Sequence, residues 1–219
     1  MKKWAFVSDF DGTISTKDFY WIIIEKYFPE GRELFKRWKS GEMQDIEFLS
    51  IIFSSIHKEE DEIIQEVQSI PIDEHVPTFI ETVQKHGGDF YILSAGTDYY
   101  IHHVLNHYQI KDVEVYSNKG VFHNKNIHLN IDENHNHYSV RYGIDKGKIL
   151  QMLKEKYETV HYIGDSEPDS HAAPHADLNF AKDALVDILQ EKSIPFVKVE
   201  NFKDVENYLI EKGMLSSHR

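Results

Sequence analysis

The chain contains no cysteine, so no disulfide staples it and no thiolate chemistry is open to it. It also lacks an apolar run of 18 residues, and no segment reads as a membrane span. The opening "MKKWAFVSDF" has two lysines but no long apolar run behind them, so no secretory leader is expected and a cytoplasmic protein is. Positive charge is scarce. Lys and Arg number 24 against 37 Asp and Glu, a formal net charge of -13. Phosphate backbones and anionic lipid select clusters of Lys and Arg, so neither nucleic acid nor a membrane surface is an expected partner. An anionic substrate would require the local field to be reversed by a metal ion or a few placed cations. Blocks of five like charges, internal repeats and low-complexity segments are absent as well.

What is present is enough for a real core: 219 residues, 41% of them apolar, long for one compact core and short for two large domains. "WAFVSDF" reads as a short buried strand. Helical spacing then runs through residues 17–70, broken at Pro29-Glu30-Gly31, Ser40-Gly41 and His57 into about four helices. After Pro71 strands and helices alternate. Strands are expected at "DFYILSAG", "VEVYSN", "TVHYIGD", "LNFA" and "PFVKV", with a hairpin turning at Asn124-Lys125-Asn126. Such alternation implies an α/β fold, a doubly wound, Rossmann-like parallel sheet covered on both faces. The helical block fits as a small inserted cap domain over the carboxyl ends of the strands. The expected division is a core of residues 1–14 and 72–219 and a helical cap of residues 15–71.

Four features fall at strand ends or helix starts. They are Asp9-Phe10-Asp11-Gly12-Thr13, Ser94-Ala95-Gly96, Lys146, and Gly164-Asp165 with Asp169. A doubly wound sheet can bring such points to one crevice. Clustered carboxylates need a counter-cation, and all-oxygen ligands favour a hard ion such as Mg²⁺. A Mg²⁺, a lysine and backbone N–H groups together suit a phosphoryl group, with Gly12 and Gly96 allowing close approach. Each feature alone has a plainer reading: a strand exit, a turn serine, a solvated lysine, an N-cap aspartate.

In this order the four motifs resemble those of haloacid dehalogenase-superfamily phosphatases. The resemblance spans residues 9–169 and covers nearly the whole chain. It implies that Asp9 is a nucleophile that becomes an aspartyl-phosphate, and that Asp11 is the acid and base. It implies Mg²⁺ held by Asp9, the Asp11 carbonyl and Asp165, with Asp169 behind them. Ser94, Ala95, Gly96, Gly12 and Lys146 would hold the phosphoryl oxygens. The dehalogenase reaction needs no acid/base two residues after the nucleophile, and Asp11 is present.

A helical cap after the first motif resembles the phosphoserine phosphatase branch. Asp18 stands nine positions after Asp9, where that branch reads a substrate amino group. Ser50 stands where its cap arginine would be expected, with Arg32 and Arg37 nearby. "SAGTDYYI" and the segment from Tyr162 to Asp183 resemble more closely the methionine-salvage group acting on 2-hydroxy-3-keto-5-methylthiopentenyl-1-phosphate. That group's cysteine-rich approach to the lysine is replaced here by "VRYGIDKGKIL". The implied partner is a small phosphorylated metabolite, and a monomer or a homodimer is expected. Alternatives are phosphoserine hydrolysis, phosphotransfer to homoserine, and an inactive phosphate-binding regulatory module. Among the cap aromatics most are expected to be core, with Phe19 beside Asp18 the candidate for substrate contact. His123, His128, His135 and His137 read as polar hairpin and loop residues rather than a zinc site.

Overall fold

The computed structural model describes residues 2–216. In the first strand, β1 (Lys2–Ser8), Ala5 and Val7 join one buried cluster and Phe6 another, and none of the three is exposed. A strand buried on both faces belongs in the middle of a parallel sheet. Four helices follow: α1 (Phe19–Lys26), α2 (Gly31–Lys39), α3 (Asp45–Phe53) and α4 (Glu60–Gln68). The chain continues as α5 (Val76–Lys85), β2 (Asp89–Thr97), α6 (Asp98–His107), β3 (Val113–His123) and β4 (Asn126–Asn130). A small hairpin, β5 (Tyr138–Ser139) and β6 (Gly143–Ile144), leads into α7 (Lys146–Lys156). The remainder is β7 (Tyr157–Gly164), β8 (Leu178–Ala181), α8 (Asp183–Glu191), β9 (Val197–Lys198) and α9 (Phe202–Glu211).

Seven strands form one sheet in the order β4-β3-β2-β1-β7-β8-β9, parallel except for the β3–β4 pair. From β1 the chain builds outward through β2 and β3, then returns to build the other side through β7, β8 and β9. The order therefore reverses at the carboxyl end of β1, where open α/β sheets leave a crevice. Phe79 of α5, Val104 of α6 and Val205 of α9 cover the face that carries Phe6. Ile149 and Leu153 of α7 cover the face that carries Val7.

Two local departures from the sequence reading shape the site. β2 runs one residue past the expected "DFYILSAG", to Thr97, and its pairing with β3 shifts between Ser94 and Thr97, so Ala95 and Gly96 are bulged out of the ladder. β3 is one long strand, parallel to β2 as far as Asn118 and antiparallel to β4 from Lys119 onward. Asn124 and Lys125, both with positive φ, make its turn.

The helices α1–α4 begin after paired linkers: Ser15 bridges Ile72, and Thr16 N–H donates to the Pro71 carbonyl at 2.9 Å. Gly41 and His57 take the positive φ that ends the second and third segments. Tyr20, Trp21, Phe35, Trp38 and Phe48 pack ring against ring, with Trp38 stacked on Phe48 at 4.5 Å. The apolar interior of this block is continuous with the sheet's through Phe10, Phe19 and Tyr100. The β3–β4 turn also meets it, with Lys58 N–H donating to the Lys125 carbonyl at 2.9 Å. No helix among the described residues is long and apolar enough to cross a membrane.

Candidate active site

β1 ends at Ser8, and Asp9 extends its ladder by one bond, N–H to the Ile163 carbonyl at 3.0 Å. The chain then turns, burying Phe10 completely and leaving Asp9 and Asp11 in the crevice. Gly12 makes the turn with φ +80°, and a methyl group there would run into the Asp165 carboxylate. Lys146, the first residue of α7, donates to Asp9 Oδ1 and to Asp169 Oδ1, each at 2.6 Å. Asp169 is saturated as an acceptor. Its Oδ1 also takes the Tyr162 hydroxyl at 2.5 Å, and its Oδ2 takes the N–H groups of Asp165 and Ser166, each at 3.0 Å. Thr13 donates to Asp165 Oδ1 at 2.9 Å, tying the first motif to the last.

Asp11 is held from the other side. The Tyr100 hydroxyl donates to its Oδ2, the Ser94 hydroxyl does so at 3.4 Å, and Phe19 N–H reaches its Oδ1 at 3.4 Å. Gly96 has no room for a side chain, because a methyl group would strike the Tyr100 hydroxyl and Asp11. The bulge in β2 is fixed from behind by Asn118, whose Nδ2 donates to the carbonyls of Ala95 at 3.0 Å and Tyr142 at 2.8 Å.

Too much negative charge sits in this crevice for its own cations. Burial, with the Asp169 charge adding and Lys146 opposing, pushes the Asp9 carboxyl up to about 6. Burial and then the Asp18 charge push Asp11 up to about 7 against the Tyr100 bond. Burial, then Asp9 and Asp169, hold Asp165 well above the usual carboxylate range. For Lys146 burial works against the charged form, but Asp169 and Asp9 outweigh it and raise its pKa, so the ammonium persists.

Above this floor lies a cavity of about 430 Å³. Its outer wall comes from Asp18, Tyr20, Trp38, Lys39, Asp45, Leu49 and Phe53 on the helical side and from Arg141 and Glu167 on the sheet side.

Residues 5–184 match the family described as "Putative Phosphatase". A Bacillus cereus protein named 2-hydroxy-3-keto-5-methylthiopentenyl-1-phosphate phosphatase is 33% identical over 205 residues, covering 92% of this chain and 93% of its own. A Bacillus thuringiensis protein of the same name is 32% identical over 211 residues, with the same coverage. The chain belongs to this phosphatase family. The fold agrees. A phosphoserine phosphatase with a phospho-aspartyl intermediate analogue superposes with a TM-score of 0.69 at 17% identity, over 95% of this chain and 99% of that one. The phosphoserine phosphatase of T. onnurineus gives 0.67 at 18% identity, over 95% and 94%.

The phosphatase brings Asp9, Asp11, Asp18, Ser94, Ala95, Gly96, Lys146 and Asp165 to one cavity. Asp169 lies behind the floor, fully buried, and Gly12 lies against Asp165 rather than in the lining. Phe19 corrects its expected role. Its ring is 1% exposed and packs between Phe53 and Tyr100, and only its backbone N–H faces the site. Ser50 turns back on its own helix to the Ile46 carbonyl, Arg37 bonds Glu42 at the surface, and Arg32 lies over Trp21. None of the three reaches the cavity lining. The cations that do, Lys39 and Arg141, were not foreseen, nor was Tyr100. Arg141 belongs to the segment "VRYGIDKGKIL" that leads into Lys146, and its nearness in sequence to that lysine was the available signal.

Among the described residues, the group of three acidic or histidine side chains close enough to share an ion is Asp9, Asp165 and Asp169, within 4.8 Å of one another. The hairpin histidines form no such group. The donor set is all carboxylate oxygen and carries uncompensated negative charge, so a hard divalent cation such as Mg²⁺ fits it. With both Asp169 oxygens already accepting two bonds each, Asp9 and Asp165 are the side chains left to hold one.

Proposed function

We propose that this phosphatase is Mg²⁺-dependent and works through an aspartyl-phosphate on Asp9, with 2-hydroxy-3-keto-5-methylthiopentenyl-1-phosphate as its substrate. The observation that carries the mechanism is the Asp9 carboxylate. Lys146 fixes Oδ1 at 2.6 Å while the carboxylate lines the cavity floor, and Oδ2, whose contact from the Thr13 hydroxyl is a long 3.4 Å, is the oxygen for attack. In the first step that oxygen bonds to phosphorus, the ester P–O bond breaks, and Asp11 gives its proton to the departing alkoxide. In the second step Asp11 takes a proton from water, the water oxygen bonds to phosphorus, and the acyl-phosphate P–O bond breaks to release phosphate and restore Asp9. A proton-bearing Asp11 is favoured by the burial that raises its pKa to about 7. Mg²⁺ held by Asp9, the Asp11 carbonyl and Asp165 would neutralise the phosphoryl oxygens and the acid cluster together. Ser94, the bulged Ala95–Gly96 backbone and Lys146 orient the phosphoryl group.

The choice of substrate rests on the named relatives and on charge at the outer wall. Arg141 is matched by Asp45 and Glu167, and Lys39 offsets the charge of Asp18. No surplus cation is left there for a substrate carboxylate, which disfavours phosphoserine. Tyr20, Trp38, Leu49 and Phe53 suit an uncharged leaving group with an apolar end.

The test is phosphate release from both esters, with Mg²⁺ and with chelator, by the wild type and by Asp9→Asn. The expected result is Mg²⁺-dependent turnover that Asp9→Asn abolishes and a preference for the methylthiopentenyl ester of at least about 100-fold, the order a missing charge partner imposes. Turnover in chelator or in Asp9→Asn would sink the mechanism. A preference for phosphoserine would sink the substrate.

A further inference from the structure

Arg141 stands on the turn of the β5–β6 hairpin, five residues before Lys146. That hairpin is rigidly joined to the site floor, because Asn118 bonds both the Ala95 and the Tyr142 carbonyls. From this platform one residue reaches two other segments. Its carbonyl accepts the Ile46 N–H at 3.0 Å, and its Nε donates to Asp45 Oδ2 at 2.8 Å, both in the first turn of α3. Its Nη1 lies 3.4 Å from Glu167 Oε2, two residues beyond Asp165. The guanidinium also lies 4.8 Å from the Tyr142 ring, whose hydroxyl bonds the same Glu167.

The exposures give this cluster its place. The Lys146 and Asp9 side chains are 3% and 6% exposed, whereas Arg141 and Glu167 are 50% and 38%. All four line one cavity, so Arg141 and Glu167 stand at its mouth and Lys146 and Asp9 at its floor. Two carboxylates around one guanidinium leave no net positive charge, so this arginine is poorly suited to capture a second anion. Its fork instead holds two acids on different segments at fixed angles, which a lysine point charge does not do.

We propose that Arg141 is a specificity-determining residue, a clasp that joins the start of α3 to the sheet side across the cavity mouth and limits the size of the leaving group admitted. The proposal rests on the reading above that the phosphoryl group sits on Asp9 and the leaving group points outward. Asp45 is the clasp's fixed end, since its side chain is only 10% exposed and bonded to Arg141. Removing either side chain widens the mouth where the guanidinium crosses it, while the Arg141 carbonyl still holds the Ile46 N–H and the floor is not touched.

The experiment compares wild type, Arg141→Ala, Asp45→Ala and the double variant on ethyl phosphate and naphthyl phosphate with Mg²⁺. In Arg141→Ala the naphthyl-to-ethyl ratio of kcat/KM should rise roughly 10-fold, in the range that pocket size alone can set. Asp45→Ala should shift the ratio in the same direction. The double variant should shift it no further than the larger single change, because both remove one contact. An unchanged ratio in Arg141→Ala, or one factor of loss common to both esters, overturns the clasp. So do single effects that multiply in the double variant. A wild type that releases phosphate with Mg²⁺ from neither ester overturns the clasp, and one that also fails on the methylthiopentenyl ester overturns the mechanism beneath it, which separates the two failures.

Discussion

The floor and the mouth of the cavity are built on different principles. At the floor, charges are buried and locked: Lys146 lies between Asp9 and Asp169, and each oxygen of Asp169 accepts two bonds. At the mouth, half-exposed charges join segments that are far apart in sequence, and aromatic rings supply the surface between them. Buried charges tolerate little change, since removing one partner leaves the other unpaired in a poor solvent. Exposed pairs contribute little to stability and are free to vary with the substrate. The proposed mechanism puts the chemistry at the floor and selectivity at the mouth, so substitutions at the two ends should have separable effects.

The largest effect is expected at Asp169, which touches no substrate. Asp169→Ala leaves buried Lys146 with Asp9 alone and takes the partner from the Tyr162 hydroxyl and from the N–H groups of Asp165 and Ser166. The expected cost is about 3–5 kcal/mol of stability, the range for breaking a buried ion pair, together with loss of turnover. Denaturant melts and phosphate release check it. A variant that keeps wild-type stability would show that the floor is not locked in this way.

Next comes metal and pH. The Asp9 and Asp11 carboxyls, raised from 3.8 to about 6 and about 7, bind protons more tightly folded than unfolded. In the metal-free protein the pair therefore costs no stability below about pH 4 and costs progressively more as pH rises through about 7. Saturating Mg²⁺ should raise Tm at about pH 7.5 by clearly more than at about pH 5, where protons already neutralise the site. Melts with chelator and with Mg²⁺ at the two pH values decide it. An equal Mg²⁺ shift at both would break the link between the acid cluster and the ion.

The same division explains what the sequence made legible. The floor residues sit at ends of regular elements, and alternation locates such ends. Asp9 follows β1, Lys146 opens α7 and Asp165 follows β7. Tyr100 escaped because its hydroxyl reaches Asp11 only once β2 has bulged at Ala95–Gly96, a register shift that no periodicity records. β3 was cut in two for a related reason, since Asn118-Lys119-Gly120 looks like a turn although a changed partner carries the strand onward. Arg141 escaped because its value lies in a contact with Asp45, 96 residues away. Phe19 was misjudged because adjacency to Asp18 says nothing about which face of α1 a ring occupies, and its face is the interior.

At the mouth, Trp38 both stacks on Phe48 and lines the cavity. Trp38→Leu should keep an apolar side chain there but remove the ring face. It should raise KM for the favoured substrate by roughly 10-fold and leave kcat within about 2-fold, the pattern of lost uniform binding. Steady-state kinetics check this, and an equal fall in kcat with KM unchanged would place Trp38's effect at the floor instead.

The smallest effect is expected at Ser50, where a phosphoserine phosphatase-like reading would put the residue that meets the substrate. Its hydroxyl bonds the Ile46 carbonyl at 2.7 Å, one turn back along α3, and lies outside the cavity lining. Such a bond within a helix adds little, because the carbonyl already serves the backbone ladder and alanine is the better helix former. Ser50→Ala should therefore change stability by no more than about 0.5 kcal/mol and leave KM unchanged for both candidate esters. A selective rise in KM for one of them would return this position to the binding site and shift the outer wall from Arg141 toward the middle of α3.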